Sequence, residues 1–99
     1  MTTPSAMPGA RQSLTDSLSA AYTAIDATLR HRAGYTVSFN KAYRVASLYM
    51  ADTGLPVVTS ADYRRALEAV DVEVVEGPYG DALTNLDIES AAYRKYLKR

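Results

Sequence analysis

Two adjacent arginines, Arg64 and Arg65, are the side chains of this sequence best suited to bind another molecule. A guanidinium group is permanently charged, and its planar fork of donors fits phosphate oxygens and the acceptor edges of bases. Arg64 can also pair with Glu68 one turn later in a helix. The sequence therefore leaves two interpretations open, ligand contacts and ordinary surface charge.

Further positive charge is divided between two parts of the chain. The remaining basic residues that we expect to hold phosphates are Lys41, Arg44, Lys95, Lys98 and Arg99. Residues 71–88 contain five acids and no base, and the whole chain carries 11 bases and 11 acids. A net charge of zero weighs against tight nonspecific DNA binding, which depends on neutralising phosphates.

The residue types needed for catalysis or for metal binding are scarce. The chain has no cysteine and a single histidine, His31, so neither a zinc site nor a catalytic triad is predicted. The acids of residues 71–88 lack the ligand spacing and the central glycine of a calcium loop, and no phosphate-binding glycine motif occurs. We expect no enzyme activity, no metal and no cofactor.

Tyrosine is unusually common, with eight tyrosines against one phenylalanine. These side chains are either amphipathic residues at the edge of the core or part of an interface, where tyrosine is enriched. Tyr79 lies between Pro78 and Gly80, where core packing does not explain an aromatic ring. With Glu73 and Glu76 it forms the predicted protein interface.

The N-terminal part of the chain is predicted to contain a tail and one long helix. Residues 1–10 lack periodic apolar positions and should be disordered, which leaves 11–99 as a single domain. Apolar residues recur every three or four positions through 13–32, and Gly34 suits a helix end. Arg30, His31 and Arg32 would then lie in the last turn of this helix.

A short strand and a second helix follow. Residues 35–37 are β-branched or aromatic and fit a short strand. Ser38 is expected to cap a helix over 39–53, which is the most apolar segment of the chain. Gly54 suits the position that follows the helix, and the proline after it prevents continuation.

A third helix and a hairpin come next. Thr59 or Ser60 caps a helix whose inward stripe is Tyr63, Ala66, Leu67 and Val70. The β-type runs 72–76 and 82–87 flank a Gly-Pro-Tyr-Gly loop, which is typical of a hairpin.

A fourth helix is predicted over 88–97, with Asp87 or Ser90 as its cap. Its apolar residues are Ile88, Ala92, Tyr93, Tyr96 and Leu97, and its other side is basic.

From Tyr43 to Ile88 the chain resembles winged helix-turn-helix domains, and more narrowly the C-terminal winged domain of phage and plasmid primase-helicases. The shared pattern is a helix ending in Gly54-Leu-Pro, a helix containing Tyr63-Arg-Arg-Ala-Leu67, and a first wing strand over 72–75. The resemblance implies an α+β fold with three core helices, a β-hairpin and a C-terminal helix. It also implies double-stranded DNA binding, with Arg64 and Arg65 in the groove.

Two functions are therefore expected as alternatives. The first is a small DNA-binding regulator or replication accessory of a phage or mobile element, helped by formation of a homodimer. The second is a protein-interaction module that binds a host protein or a second copy through the acidic hairpin. No secretory signal and no apolar run of membrane-spanning length occurs, so a cytoplasmic location is expected.

Overall fold

A computed structural model describes residues 18–78 and 80–97. The described chain begins within a helix, α1, which covers residues 18–28. The elements that follow are β1 (Leu29–Ser38), α2 (Phe39–Asp52), α3 (Ser60–Ala69), β2 (Val74–Gly77), β3 (Gly80–Ile88) and α4 (Ser90–Tyr96). The predicted α+β architecture, with its hairpin and C-terminal helix, is confirmed. The predicted tail, residues 1–10, and the predicted start of the first helix lie outside the described residues.

The three strands form one antiparallel sheet in the order β1-β3-β2. Gly77 pairs with Gly80, so β2 and β3 form the predicted hairpin. Helix α2 packs against β1, β3 and α4. The largest fully buried hydrophobic side chains come from α2, α3 and β3: Val45, Met50, Tyr63, Leu67 and Leu83.

The predicted end of the first helix is wrong. Helix α1 stops at residue 28, and Arg30, His31 and Arg32 belong to the ten-residue strand β1. The carbonyl of Thr28 accepts a hydrogen bond from the Glu89 N–H at 2.7 Å, so it does not extend the helix ladder. Pairing with β3, which lies more than fifty residues away in sequence, overrides the local helical pattern.

A break in the regular ladder lies in the middle of β1 and β3. His31 pairs with Leu86 and Thr36 pairs with Thr84, so four residues of β1 lie opposite the single residue Asn85. Asn85 has a φ of 58°, and its side-chain oxygen accepts from the N–H of Gly34 at 3.1 Å. Gly34, predicted to end a helix, lies in this bulge with a φ of 85°.

The bulge changes which residues of β3 point inward. Leu83 and Ile88 are both buried, although residues five apart point to opposite faces of a regular strand. The left-handed residue between them shifts the alternation by one position. As a result, Asp81 points to the side occupied by the helices, whereas Asp87 points away from the core.

Helix α2 begins and ends as predicted, to within one residue. The Ser38 Oγ accepts from the Lys41 N–H at 3.0 Å. At the other end, Gly54 takes a φ of 79°, and the Leu55 N–H bonds to the Met50 carbonyl at 2.8 Å. This is a Schellman ending.

Helix α3 is capped by Thr59, one of the two predicted candidates, whose Oγ1 accepts from the Asp62 N–H at 3.1 Å. The prediction that Val70 points inward is wrong, because Val70 is 46 % exposed. The helix ends at Ala69, and Asp71 turns the chain with a φ of 64°. Val70 therefore lies beyond the last inward-facing turn.

Helix α4 is shorter than predicted, and its cap is neither Asp87 nor Ser90. Glu89 is the N-cap, with its side chain accepting from the Ala91 N–H at 2.9 Å. Asp87 instead bonds to the N–H of Ile88. Tyr93, predicted to lie on the apolar side of α4, is exposed. None of the described helices combines the length and the apolar character of a membrane span.

Candidate nucleic-acid interface

The candidate interface is built on α3, whose inward side fixes where its arginines point. Tyr63, Ala66 and Leu67 are fully buried. The ring of Tyr63 lies 5.8 Å from that of Phe39 and 5.5 Å from that of Tyr43, measured between centroids. With this aromatic cluster holding one side of the helix, Arg64 emerges at the border of the core and Arg65 in solvent.

Arg64 is held by two other elements. Its guanidinium pairs with the carboxylate of Asp81 at the start of β3, and it lies 4.8 Å from the centroid of the Phe39 ring on α2. The predicted alternative partner, Glu68, is not within ion-pair distance. The Arg64 side chain stays 38 % exposed. It therefore links α3 to the hairpin and keeps part of its donor fork open to solvent.

Arg65 is the more accessible of the two arginines. Its side chain is 62 % exposed, and its ion-pair partner among the described residues is Asp62, at 3.6 Å and three positions earlier on the same helix. An exposed pair of this kind contributes little to stability and is easily exchanged for another anion. Arg65 is thus available for an external contact.

Lys41 and Arg44 are both exposed, but they lie on a different side of α2. At about 100° per residue, they are more than a quarter turn away from Phe39 and Tyr43, which contact Tyr63 of α3. Arg44 instead borders a shallow pocket together with Leu48, Tyr96 and Leu97. The structure therefore separates this pair from the α3 arginines and places Arg44 near the end of α4.

Lys95 is paired with a carboxylate at the end of α2. Its Nζ lies 2.7 Å from Asp52 Oδ2, and the Tyr96 hydroxyl donates to the same oxygen at 2.9 Å. The bond from Lys95, followed by that from Tyr96, lowers the pKa of the Asp52 carboxyl, and the carboxylate in turn raises the pKa of the Lys95 ammonium. This cluster ties α4 to α2. The other two predicted phosphate contacts, Lys98 and Arg99, lie outside the described residues.

The predicted protein interface lies on the hairpin. Glu73 and Glu76 are both exposed. Glu73 Oε1 accepts from the Thr84 hydroxyl at 3.1 Å, which fixes that carboxylate against β3. Tyr79, the third predicted member, lies outside the described residues.

Two basic residues that the sequence analysis assigned to a helix end form a cluster on β1. Arg32 Nη1 lies 3.1 Å from Asp87 Oδ2, and Arg30 Nη2 lies 4.0 Å from the same atom. The signal that identifies them is the alternation Arg-His-Arg, which at a strand spacing of two places both arginines on one face. The helical pattern that precedes them concealed this signal.

Two further observations concern metal ligands and reactive side chains in the described part of the chain. No group of three potential metal ligands occurs there. The buried Tyr63 hydroxyl has no hydrogen-bond partner among these residues, and burial raises its pKa. A tyrosine held in its protonated form in this way is unsuited to act as a base.

The resemblance to winged domains of primase-helicases stays a prediction, because no protein-family model, no curated protein and no solved structure matches this chain.

Proposed function

We propose that the protein is a small winged-helix DNA-binding protein that serves a phage or other mobile element as a regulator or replication accessory. The observation that supports this function is the placement of α3 directly before the β2–β3 hairpin, with Arg65 in solvent. In winged helix-turn-helix proteins, the helix in this position enters the major groove. The connection from α2 spans residues 53–59, which is longer than the usual three or four residues of the turn.

In this proposal the two α3 arginines have different tasks. Arg65 contacts base edges or phosphates directly, since its donors face solvent. Arg64 contacts the DNA with the guanidinium N–H donors that its ion pair with Asp81 leaves free. The other residues proposed to contact phosphates are Lys95, Lys98 and Arg99, together with Lys41 and Arg44, which lie on a different side of α2 from the residues that contact α3.

A net charge of zero limits the affinity of one domain for DNA. Formation of a homodimer doubles the number of phosphate contacts and adds a second α3. We therefore expect the protein to bind as a dimer to a site with two-fold symmetry.

Fluorescence anisotropy with a mixed-sequence duplex at low salt tests this function. We expect saturable binding that weakens steeply as salt is added, because counterions are released from the DNA. Arg65→Ala should weaken binding by about 1–3 kcal/mol if Arg65 contacts a base, and a phosphate contact should change the salt slope by about one.

Asn40→Asp is the matched control, since it changes the net charge by the same amount at an exposed position of α2. The absence of binding by the wild-type protein overturns the proposal. If Arg65→Ala and Asn40→Asp weaken DNA binding equally, Arg65 of α3 does not contact the DNA.

A second function is favoured by a specific contact, the pairing of Arg64 with Asp81. Because this pair partly neutralises the arginine best placed beside the hairpin, the acids Glu73 and Glu76 dominate the local charge. An acidic hairpin of this kind suits a basic surface of another protein or of a second copy.

Sizing chromatography and a pull-down with wild-type protein and with Glu73→Gln plus Glu76→Gln test this alternative. We expect the double variant to lose a partner protein or to become monomeric. Tyr79→Ala tests the third predicted interface residue and should have the same effect. A monomeric protein whose set of partners is the same in all three forms contradicts it.

A further inference from the structure

The outer face of the sheet carries a cluster of arginines that the proposed function does not use. Leu29 pairs with Ile88, and both are buried. The next pair along the ladder, Arg30 and Asp87, therefore points to the opposite face. Arg32, two positions further along β1, forms an ion pair with the same carboxylate.

Helix α4 completes a pocket around this cluster. The pocket has a volume of about 430 Å³ and is lined by Arg30, Arg32 and Asp87 from the sheet and by Tyr93 and Arg94 from α4. This volume lies in the usual range for small-molecule sites. Three guanidinium groups share the pocket with one carboxylate, so two positive charges are left uncompensated.

Asp87 holds Arg32 and leaves most donors of the three arginines unused. Its Oδ2 accepts a hydrogen bond from Arg32 at 3.1 Å, whereas Oδ1 is occupied by the Ile88 N–H at 2.8 Å. The guanidinium of Arg32 also lies over the Tyr35 ring, 3.9 Å from its centroid. Each guanidinium has five N–H donors. Within the described part of the chain, the bond from Arg32 to Asp87 is the one hydrogen bond that the side chains of Arg30, Arg32 and Arg94 make.

A phosphate group is the ligand that this chemistry fits. Converging guanidinium forks bind its oxygens in pairs, and a phosphate can satisfy two or three of them at once. The ring of Tyr93 is 45 % exposed at the same pocket, and exposed tyrosines beside arginines are typical stacking surfaces for nucleobases. We propose that this pocket binds a phosphate group, either of a free nucleotide or of a nucleic-acid strand.

The pocket is distinct from the candidate interface on α3. Asp81, which holds Arg64, and Asp87, which holds Arg32, are six positions apart on β3, or at most about 20 Å at the rise of a strand. The bulge at Asn85 also directs the two carboxylates to different faces. The two sites can therefore be tested separately.

The test is an NMR titration of the full chain at low ionic strength with three probes: inorganic phosphate, adenosine monophosphate and a short duplex. We expect saturable shifts at the side-chain N–H groups of Arg30, Arg32 and Arg94. Arg94→Ala should weaken binding about tenfold, and Arg94→Lys should weaken it less, because lysine keeps the charge but lacks the fork.

Asn40→Asp is the control with the same change in net charge. Binding of phosphate and tighter binding of the nucleotide indicate a free nucleotide with its base on Tyr93, whereas shifts with the duplex alone indicate a strand backbone. The absence of saturable shifts with all three probes overturns the proposal, as does equal weakening by Arg94→Ala and Asn40→Asp. If Arg65→Ala weakens duplex binding while the pocket residues stay unshifted, the pocket proposal fails and DNA binding through α3 stands.

Discussion

The Tyr63 hydroxyl is buried and has no hydrogen-bond partner among the described residues. The aromatic rings of Phe39 and Tyr43 pack against its own ring. A buried donor that makes no hydrogen bond loses its bonds to water on folding and regains nothing. The ring therefore stabilises the core, whereas the hydroxyl opposes it.

We predict that Tyr63→Phe raises the free energy of unfolding by about 1 kcal/mol, because it removes this unpaired group and keeps the ring. The effect should grow at alkaline pH. Burial raises the pKa of Tyr63, so above about pH 10 the unfolded chain ionises at this residue first, and the wild-type protein loses stability that the Tyr63→Phe variant keeps. Denaturant unfolding at pH 7 and at pH 10.5 measures both effects.

Tyr22→Phe provides the control, because Tyr22 is exposed and its replacement should change the stability by less than about 0.5 kcal/mol. A loss of stability in Tyr63→Phe would show that the hydroxyl has a partner in solution.

At the scale of the elements, α2 and α3 end in the same way but with different residues. Both helices close with a Schellman pair of hydrogen bonds, Leu55 N–H to Met50 and Val72 N–H to Leu67. The left-handed residue that this ending requires is Gly54 in the first case and Asp71 in the second. Glycine adopts such a φ without strain, whereas other residues adopt it at a cost.

We predict opposite effects of substitutions at these two positions. Gly54→Ala should destabilise the protein by about 1 kcal/mol, since an added Cβ meets no atom within 4 Å and the penalty comes from the backbone alone. Asp71→Gly should stabilise it by up to about 1 kcal/mol, and removal of a negative charge from the end of a helix adds to this gain. Thermal and denaturant unfolding of both variants give the comparison. Changes of the same sign would contradict the assigned endings.

Whether an element was predicted correctly from the sequence depends on how far apart along the chain the residues that determine it lie. The starts of α2 and α3, the end of α2 and the hairpin were predicted because Ser38, Thr59 and Gly54 act on backbone groups within a few positions. The end of α1 was not predicted, because pairing of the following residues with β3 determines it. A basic Arg-His-Arg run after an amphipathic helix is typical of a helix end, and an alternation of three residues is too short to outweigh the helical pattern before it.

The same limit applies to the candidate site. The exposure of Arg65 follows from the apolar pattern of α3 and was predicted. The partners of Arg64 and of Arg32 are 17 and 55 positions away, and they depend on the strand register, which periodicity does not supply. The arginine cluster around Asp87 was therefore missed.

Over the molecule as a whole, side chains of opposite charge form ion pairs that join one element to another. The ion pairs Arg64–Asp81, Lys95–Asp52 and Arg32–Asp87 each join two different elements. Asp81 and Asp87 within the acidic residues 71–88, and Lys95 within the basic C-terminal end, are therefore partly neutralised. If the proposed function is correct, the affinity for DNA depends on how readily these pairs exchange a carboxylate for a phosphate.

We predict that Asp81→Asn increases the affinity for duplex DNA about three- to tenfold at low salt, because it releases Arg64 and removes a negative charge near the hairpin. The salt dependence should steepen by about one phosphate contact. Anisotropy titrations at several salt concentrations measure both quantities.

Asp71→Asn removes the same charge from a residue that has no ion pair among the described residues. An equal gain in both variants would mean that net charge alone is responsible and that Arg64 does not reach the DNA.

The left-handed turn at Asn85 has a consequence for which substitutions the chain tolerates at that position. If the residue there took an extended φ instead, the rest of β3 would rotate by half a turn, which would drive Asp87 in among the helices and leave Ile88 in water. A β-branched residue disfavours a positive φ and would therefore press the strand toward that arrangement, in which the arginines lose their anchor. The conformation of one backbone position thus decides which side of the sheet carries these charges.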